Sequence, residues 1–200
     1  MKFKKIMFIF VFICIIIFGI FYYNFFLLGN NIISRSQEEI VDNILNDLSS
    51  YEADITVKVI SNKNENYYNM YQIVDNEYSK CTINSPENIK GLSIELGNGK
   101  LKISNAKLNM EKTYDNYELI LNNSLFLNVF INDYKNNESK NYEENDYIVF
   151  SSKLNNNHST YIKYKELYVD KQTGIPKELI IKDNTKKTCI SIIYNDIKIK

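Results

Sequence analysis

The sequence predicts a mainly β domain of the α+β class, an antiparallel sheet with helices packed on one face, behind one transmembrane helix. Three observations predict it. From Tyr51 onward apolar residues recur at every second position in segment after segment, which is the period of a strand. The segments are separated by short turns, too brief for the crossovers that parallel strands need. Ahead of them, Ile6 to Leu28 is a nearly unbroken apolar run in which Asn24 is the strongly polar exception.

Residues 1–5, Met1-Lys-Phe-Lys-Lys, read as a basic cytoplasmic head, and 6–28 as a signal anchor. At ~1.5 Å of rise per residue such a run crosses a hydrocarbon core of roughly 30 Å. The rival is a cleaved secretory signal, which needs a shorter apolar core followed by small residues. This run ends instead in Tyr22-Tyr23-Asn24-Phe25-Phe26-Leu27-Leu28, leaving Gly29 and the Ser34/Ser36 region as cleavage candidates. Cys14 sits behind bulky Val11, Phe12 and Ile13, a poor setting for lipidation. Lys2, Lys4 and Lys5 precede the run and Arg35 follows it, so the positive-inside bias places the N-terminus in the cytoplasm and residues 36–200 outside.

Residues 29–35 form a linker, and a helix follows. Ser36 with Glu39 fits a capping box, and Ile40, Val41, Ile44, Leu45 and Leu48 then share one face. Ala53, Ile55, Val57 and Val59 alternate with polar residues in the first strand. Strands are predicted next at Tyr67–Asp75, Glu77–Asn84 and Leu92–Leu96. Gly97-Asn98-Gly99 turns the chain into Lys100–Ser104, because these residues tolerate positive φ. Strand character resumes at Lys107–Thr113 and around Tyr117–Leu121. Ser124 is the expected N-cap of a second helix, Ser124–Tyr134, striped by Leu125, Phe126, Val129, Phe130 and Tyr134. Lys135–Asn145, charged and Asn-rich, reads as a loop. Four strands close the chain: Asp146–Leu154, Thr160–Asp170, Lys177–Asp183 and Thr188–Ile199. The apolar phase slips in the last, predicting a bulge at Asn195-Asp196.

Charge and chemistry narrow the function. Lys2, Lys4, Lys5 and Arg35 are four of the 24 basic residues and precede Ser36, whereas all 24 acidic residues follow it. Residues 36–200 therefore hold 20 basic and 24 acidic groups, a balance of −4 with no basic stripe, which argues against nucleic acid. His158, the single histidine, lies in an Asn155-Asn156-Asn157 turn. There is no clustered metal-ligand spacing, no Gly-rich phosphate loop and no G-x-S-x-G elbow, so catalytic, metal and cofactor-binding residues are none. Outside the cytoplasm Cys81 and Cys189 are a candidate disulfide; two buried thiols are the alternative. Tyrosines cluster at Tyr67, Tyr68, Tyr71 and Tyr78 and again at Tyr161, Tyr164 and Tyr168. Tyr joins apolar area to a hydroxyl, which suits a partner-facing sheet, and it is equally a good strand former.

The stretch Leu167-Tyr-Val-Asp-Lys-Gln-Thr-Gly-Ile-Pro-Lys-Glu-Leu-Ile-Ile181 reads as strand, turn, strand. It resembles the penultimate hairpin of the LolA/LolB-type lipoprotein-carrier superfamily, and Ser50-Tyr-Glu-Ala-Asp-Ile-Thr-Val57 resembles the start of that fold. The resemblance implies a curved antiparallel half-barrel over residues 36–200, with helices over its concave face. Within the superfamily it is nearest the clostridial spore-germination group typified by GerS. That group implies a non-enzymatic protein at a spore membrane, whose partner is a cortex-modifying N-acetylmuramoyl-L-alanine amidase needed for germination. Two departures stand out: the chain lacks a lipobox, and its one arginine, Arg35, lies outside the fold where carriers place an arginine in the cavity. The alternative is a carrier or sensor of lipid or another hydrophobic ligand. Phe126, Phe130, Tyr134, Tyr161, Tyr164 and Tyr168 are the candidate groove or partner-facing residues, and self-association into a homodimer is left open.

Overall fold

Every strand of the sheet runs antiparallel to its neighbours, so each backbone ladder is built from hairpins and one long-range closure. The structure is a computed structural model, and it describes residues 41–75, 78–115, 125–155 and 162–200. The chain divides into two compact units, Met1–Ile44 and Leu45–Lys200. In the first, the described residues 41–44 are helical; residues 45–47 are helical in the second. Among the described residues no helix is long and apolar enough to cross a membrane. The predicted anchor at 6–28, the linker, the capping box at Ser36 and the strand around Tyr117–Leu121 lie outside them.

The second unit contains β1 (Tyr51–Ile60), β2 (Glu65–Asp75), β3 (Tyr78–Ser85), β4 (Leu92–Gly97), β5 (Lys100–Asn105) and β6 (Met110–Asp115). Helix α1 (Leu127–Asn136) follows, then β7 (Glu138–Glu144), β8 (Tyr147–Lys153), β9 (Tyr164–Asp170), β10 (Pro176–Lys182) and β11 (Thr188–Ile199). The order across the sheet is β6-β5-β4-β3-β2-β1-β11-β10-β9-β8-β7. Two meanders thus run outward and back, and the first and last strands zip them together in register from Tyr51↔Ile199 to Val59↔Ile190.

Alternation decides which face is which. Tyr51, Ala53, Ile55 and Val57 on β1 point the same way as Val74, Cys81, Leu167, Val169, Leu179, Ile181 and Ile192, and all are buried. Each such aliphatic side chain contributes about 2 kcal/mol of transfer free energy. On this inner face α1 lays down Leu127, Phe130 and Ile131, also buried. Polar bonds fix the helix there. Tyr51 Oη donates to Gln72 Oε1 at 2.9 Å and accepts from the Leu127 amide at 3.1 Å. Lys165 Nζ donates to Asp133 Oδ2 at 2.6 Å, with side chains only 1% and 8% exposed.

The turns follow their residues. Asn98 and Gly99 take φ of 51° and 69° between β4 and β5. Asp170 Oδ1 accepts from the amides of Gln172 and Thr173 and from Thr173 Oγ1, Gly174 adopts φ 68°, and Pro176 opens β10. The bulge falls at Asn195, where the pairing steps from Asp54↔Asp196 to Ile55↔Tyr194.

Four expectations are corrected. Lys135–Asn145 is not a loop: Glu138–Glu144 is the edge strand β7, which lacks an apolar period because its residues are mostly exposed. The second helix runs Leu127–Asn136 with Phe126 as its N-cap, whose own side chain makes no capping hydrogen bond. Lys107–Thr113 is interrupted. Asn105 Oδ1 accepts from the Lys107 and Leu108 amides, capping a 3-10 turn at Ala106–Leu108, and Asn109 sits at φ 49° before β6 begins. Cys81 and Cys189 are free thiols: Cys81 is buried on the inner face of β3, while Cys189 sits on β11, with β2 and β1 between the two strands.

Candidate partner-binding face

The outer face of β7 to β10 carries rows of side chains that the cross-strand register brings together. Glu138, Lys153, Tyr164 and Lys182 form one row across the four strands. Lys140, Ser151, Glu166 and Ile180 form the next, and Tyr142, Val149, Tyr168 and Glu178 a third. Tyr147 follows beyond them, its ring edge-on to Tyr168 with centroids 6.0 Å apart.

These rows enclose a groove of about 400 Å³ lined by Lys140, Tyr142, Ser151, Tyr164, Glu166 and Lys186, among others. A smaller hollow of about 260 Å³ lies at the other end of the strands, against Glu144, Tyr147, Tyr168, Lys177 and Glu178. Two of the groove's four lysines are neutralised: Lys153 by Glu138 at 2.7 Å and Lys182 by Glu166 at 2.6 Å. The other two lie over aromatic rings instead, Lys140 Nζ 5.5 Å from the Tyr142 centroid and Lys186 Nζ 5.7 Å from that of Tyr164.

The electrostatics keep the Tyr142 and Tyr168 hydroxyls protonated at neutral pH. Burial, then the nearby Glu166 carboxylate, pushes the Tyr168 phenol up to about 12. Burial likewise raises Tyr142. The hydrogen bond from Lys153 holds Glu138 below the usual carboxylate range and raises the lysine in turn. The face can therefore donate hydrogen bonds, pair with carboxylates and cover apolar groups.

The predicted site residues divide between the two faces of the sheet. Tyr164 and Tyr168 stand on the outer face in the rows above. Phe126 and Phe130 are buried on the inner face. Tyr134 stacks between Phe130 and Phe150, with centroids 6.1 and 5.6 Å away, and its hydroxyl accepts from Asn141 Nδ2 at 3.3 Å. Tyr161 and His158 lie outside the described residues. Lys140, Tyr142, Tyr147, Lys182 and Lys186 join the face without having been expected there. The alternation Glu138-x-Lys140-x-Tyr142 is their one local signal, a period of two written in polar residues. Among the described residues no three His, Cys, Asp or Glu side chains cluster as a metal site would.

Comparison with known proteins places the chain. A family model described as Sporulation protein YdcC-like matches residues 4–200. The fold is similar to the GerS lipoprotein in the structure of the CwlD amidase from Clostridioides difficile in complex with GerS. The identity is 22% and the TM-score 0.54, over 83% of this chain and 95% of that one. An uncharacterized conserved protein from Thermus thermophilus is similar at 11% identity and TM-score 0.52, over 82% and 88% of the two chains. The LolA superfamily protein NE2245 from Nitrosomonas europaea matches at 13% identity and TM-score 0.43, over 80% and 93%. At these identities the first two likenesses establish the fold alone. No curated protein matches the sequence.

Proposed function

The chain belongs to the YdcC-like family of sporulation proteins, and on that premise we propose that it is a non-enzymatic, membrane-anchored binding protein. Its partner is a cell-wall N-acetylmuramoyl-L-alanine amidase, and its role is cortex modification needed for germination. The observation that carries this reading is the likeness in fold to GerS, which is held in complex with the CwlD amidase. The outer face supports it as well. Tyr142, Tyr147, Tyr164 and Tyr168 offer aromatic area and hydroxyls on a hydrogen-bonded sheet, the residue type that dominates binding hot spots. The inner face supports a scaffold over a carrier of hydrophobic cargo, because Phe126, Leu127 and Phe130 fill the space under α1.

The apolar run at 6–28 gives the domain its place, outside the membrane with the N-terminus in the cytoplasm. Confinement at the membrane surface raises the local concentration of a bound partner toward the millimolar range, so a micromolar interface suffices.

Affinity purification of the tagged full-length chain from membranes of sporulating cells tests the proposal. An amidase should co-purify, and the chain alone should release no fragments from purified cortex peptidoglycan. An abundant chain recovered without an amidase would remove the partner, and fragment release would overturn the non-enzymatic reading.

A further inference from the structure

The geometry points to the outer groove of β7–β10 as a docking site for an extended acidic peptide segment, held by Lys140 and Lys186. The inference rests on the partner-binding reading and names the contact chemistry. Four lysines and two glutamates line the groove, and the two ion pairs there leave a surplus of two positive charges. That surplus is local, since residues 36–200 carry a balance of −4. It is also placed. Lys140 and Lys186 have tyrosine rings beneath them and no carboxylate partner among the described residues, so their ammonium groups are free to bind an incoming anion.

The same rings argue against a stacked sugar. The faces of Tyr142 and Tyr164, which a sugar would use, are covered by the lysine heads. Strands lie ~4.8 Å apart and residues ~3.3 Å along a strand, which separates the two ammonium positions by roughly 12–16 Å. An extended peptide spans that distance between carboxylates about four residues apart. Between them the floor offers Ser151 and the Tyr142 and Tyr164 hydroxyls for the peptide backbone.

The test uses the purified full-length chain in detergent and a fluorescein-labelled synthetic peptide with two glutamates four positions apart. Its glutamine counterpart and a polygalacturonate fragment serve as comparison probes. The glutamate peptide should bind, weaken as salt is raised, and lose about tenfold in affinity in Lys140→Gln/Lys186→Gln. Lys100→Gln/Lys102→Gln, on β5 far across the sheet, should bind as the parent does. Equal binding of the glutamine peptide, an unchanged affinity in the Lys140/Lys186 variant, or tighter binding of the polygalacturonate would overturn the assignment. Amidase capture by the same proteins is measured in parallel. Capture that is indifferent to the Lys140/Lys186 variant sinks this inference alone, whereas lysine-dependent peptide binding without amidase capture sinks the partner reading alone.

Discussion

Removing Asp133 strands a buried ammonium, and the consequence is large enough to measure without ambiguity. Lys165 is 1% exposed on the inner face of β9, and its Nζ donates to Asp133 Oδ2 at 2.6 Å across to α1. Breaking one side of a buried pair costs ~3–5 kcal/mol, because the remaining charge keeps its desolvation penalty and loses its counter-charge. Asp133→Ala should therefore lower the urea midpoint by roughly 2 M at an m-value near 2 kcal/mol/M. The melting temperature should fall by roughly 6–20 °C. Helix propensity works in the opposite direction, since Ala is the better helix former, so the loss cannot come from α1 itself. Asp133→Leu with Lys165→Met removes both charges at similar volume and should return stability to within ~1–2 kcal/mol of the parent. Tyrosine fluorescence follows the unfolding, as the chain has 16 Tyr and no Trp. A loss under ~1 kcal/mol for Asp133→Ala, or a double variant no better than the single one, would refute the claim that this pair is desolvated beneath the helix.

Phe130 has no exposed surface and packs against Tyr134, so Phe130→Ala should cost ~3–5 kcal/mol, checked by the same denaturation. Acid should weaken the fold through its turns. Thr173 lowers Asp170 and Thr185 lowers Asp183 by hydrogen bonds, so each carboxyl's folded pKa lies below its unfolded value of about 3.9. Their stabilisation is present above that value and is lost as pH falls through the folded one. Melting temperature recorded from pH 6 to pH 3 should fall less steeply in Asp170→Ala; parallel curves would contradict this. Burial pushes the Cys81 thiol up to about 12, so iodoacetamide at pH 8 should modify Cys81 only after unfolding. Peptide mapping should also find no Cys81–Cys189 bridge without reductant, and a bridge would correct the free-thiol assignment.

The turns were legible because one residue decides each. Gly174 and the Asn98-Gly99 pair occupy positive φ, which few other residues tolerate, and Asp170 caps its own turn by bonds within four residues. The bulge at Asn195 was legible because it displaces an apolar phase by one step. β7 was not. An edge strand exposed on both faces has no buried face to impose a hydrophobic period, and Glu138–Glu144 therefore reads as a loop. The helix start slipped for a related reason: the buried Tyr51 hydroxyl, 76 residues away, accepts the Leu127 amide, a task the sequence pattern assigns to a local Ser or Asp. The outer face was half legible. Tyr164 and Tyr168 announce themselves two turns of the pleat apart on one strand. Their neighbours Lys140, Tyr142, Tyr147 and Lys182 arrive from three other strands through register alone, and Lys186 from the turn after β10.

We propose that the chain acts by binding a protein partner. Titrating the purified full-length chain in detergent against a purified N-acetylmuramoyl-L-alanine amidase from the same sporulating cells tests it most directly, read by calorimetry. A saturable complex with a dissociation constant at or below the micromolar range is expected. No heat above dilution at tens of micromolar of both proteins would contradict it.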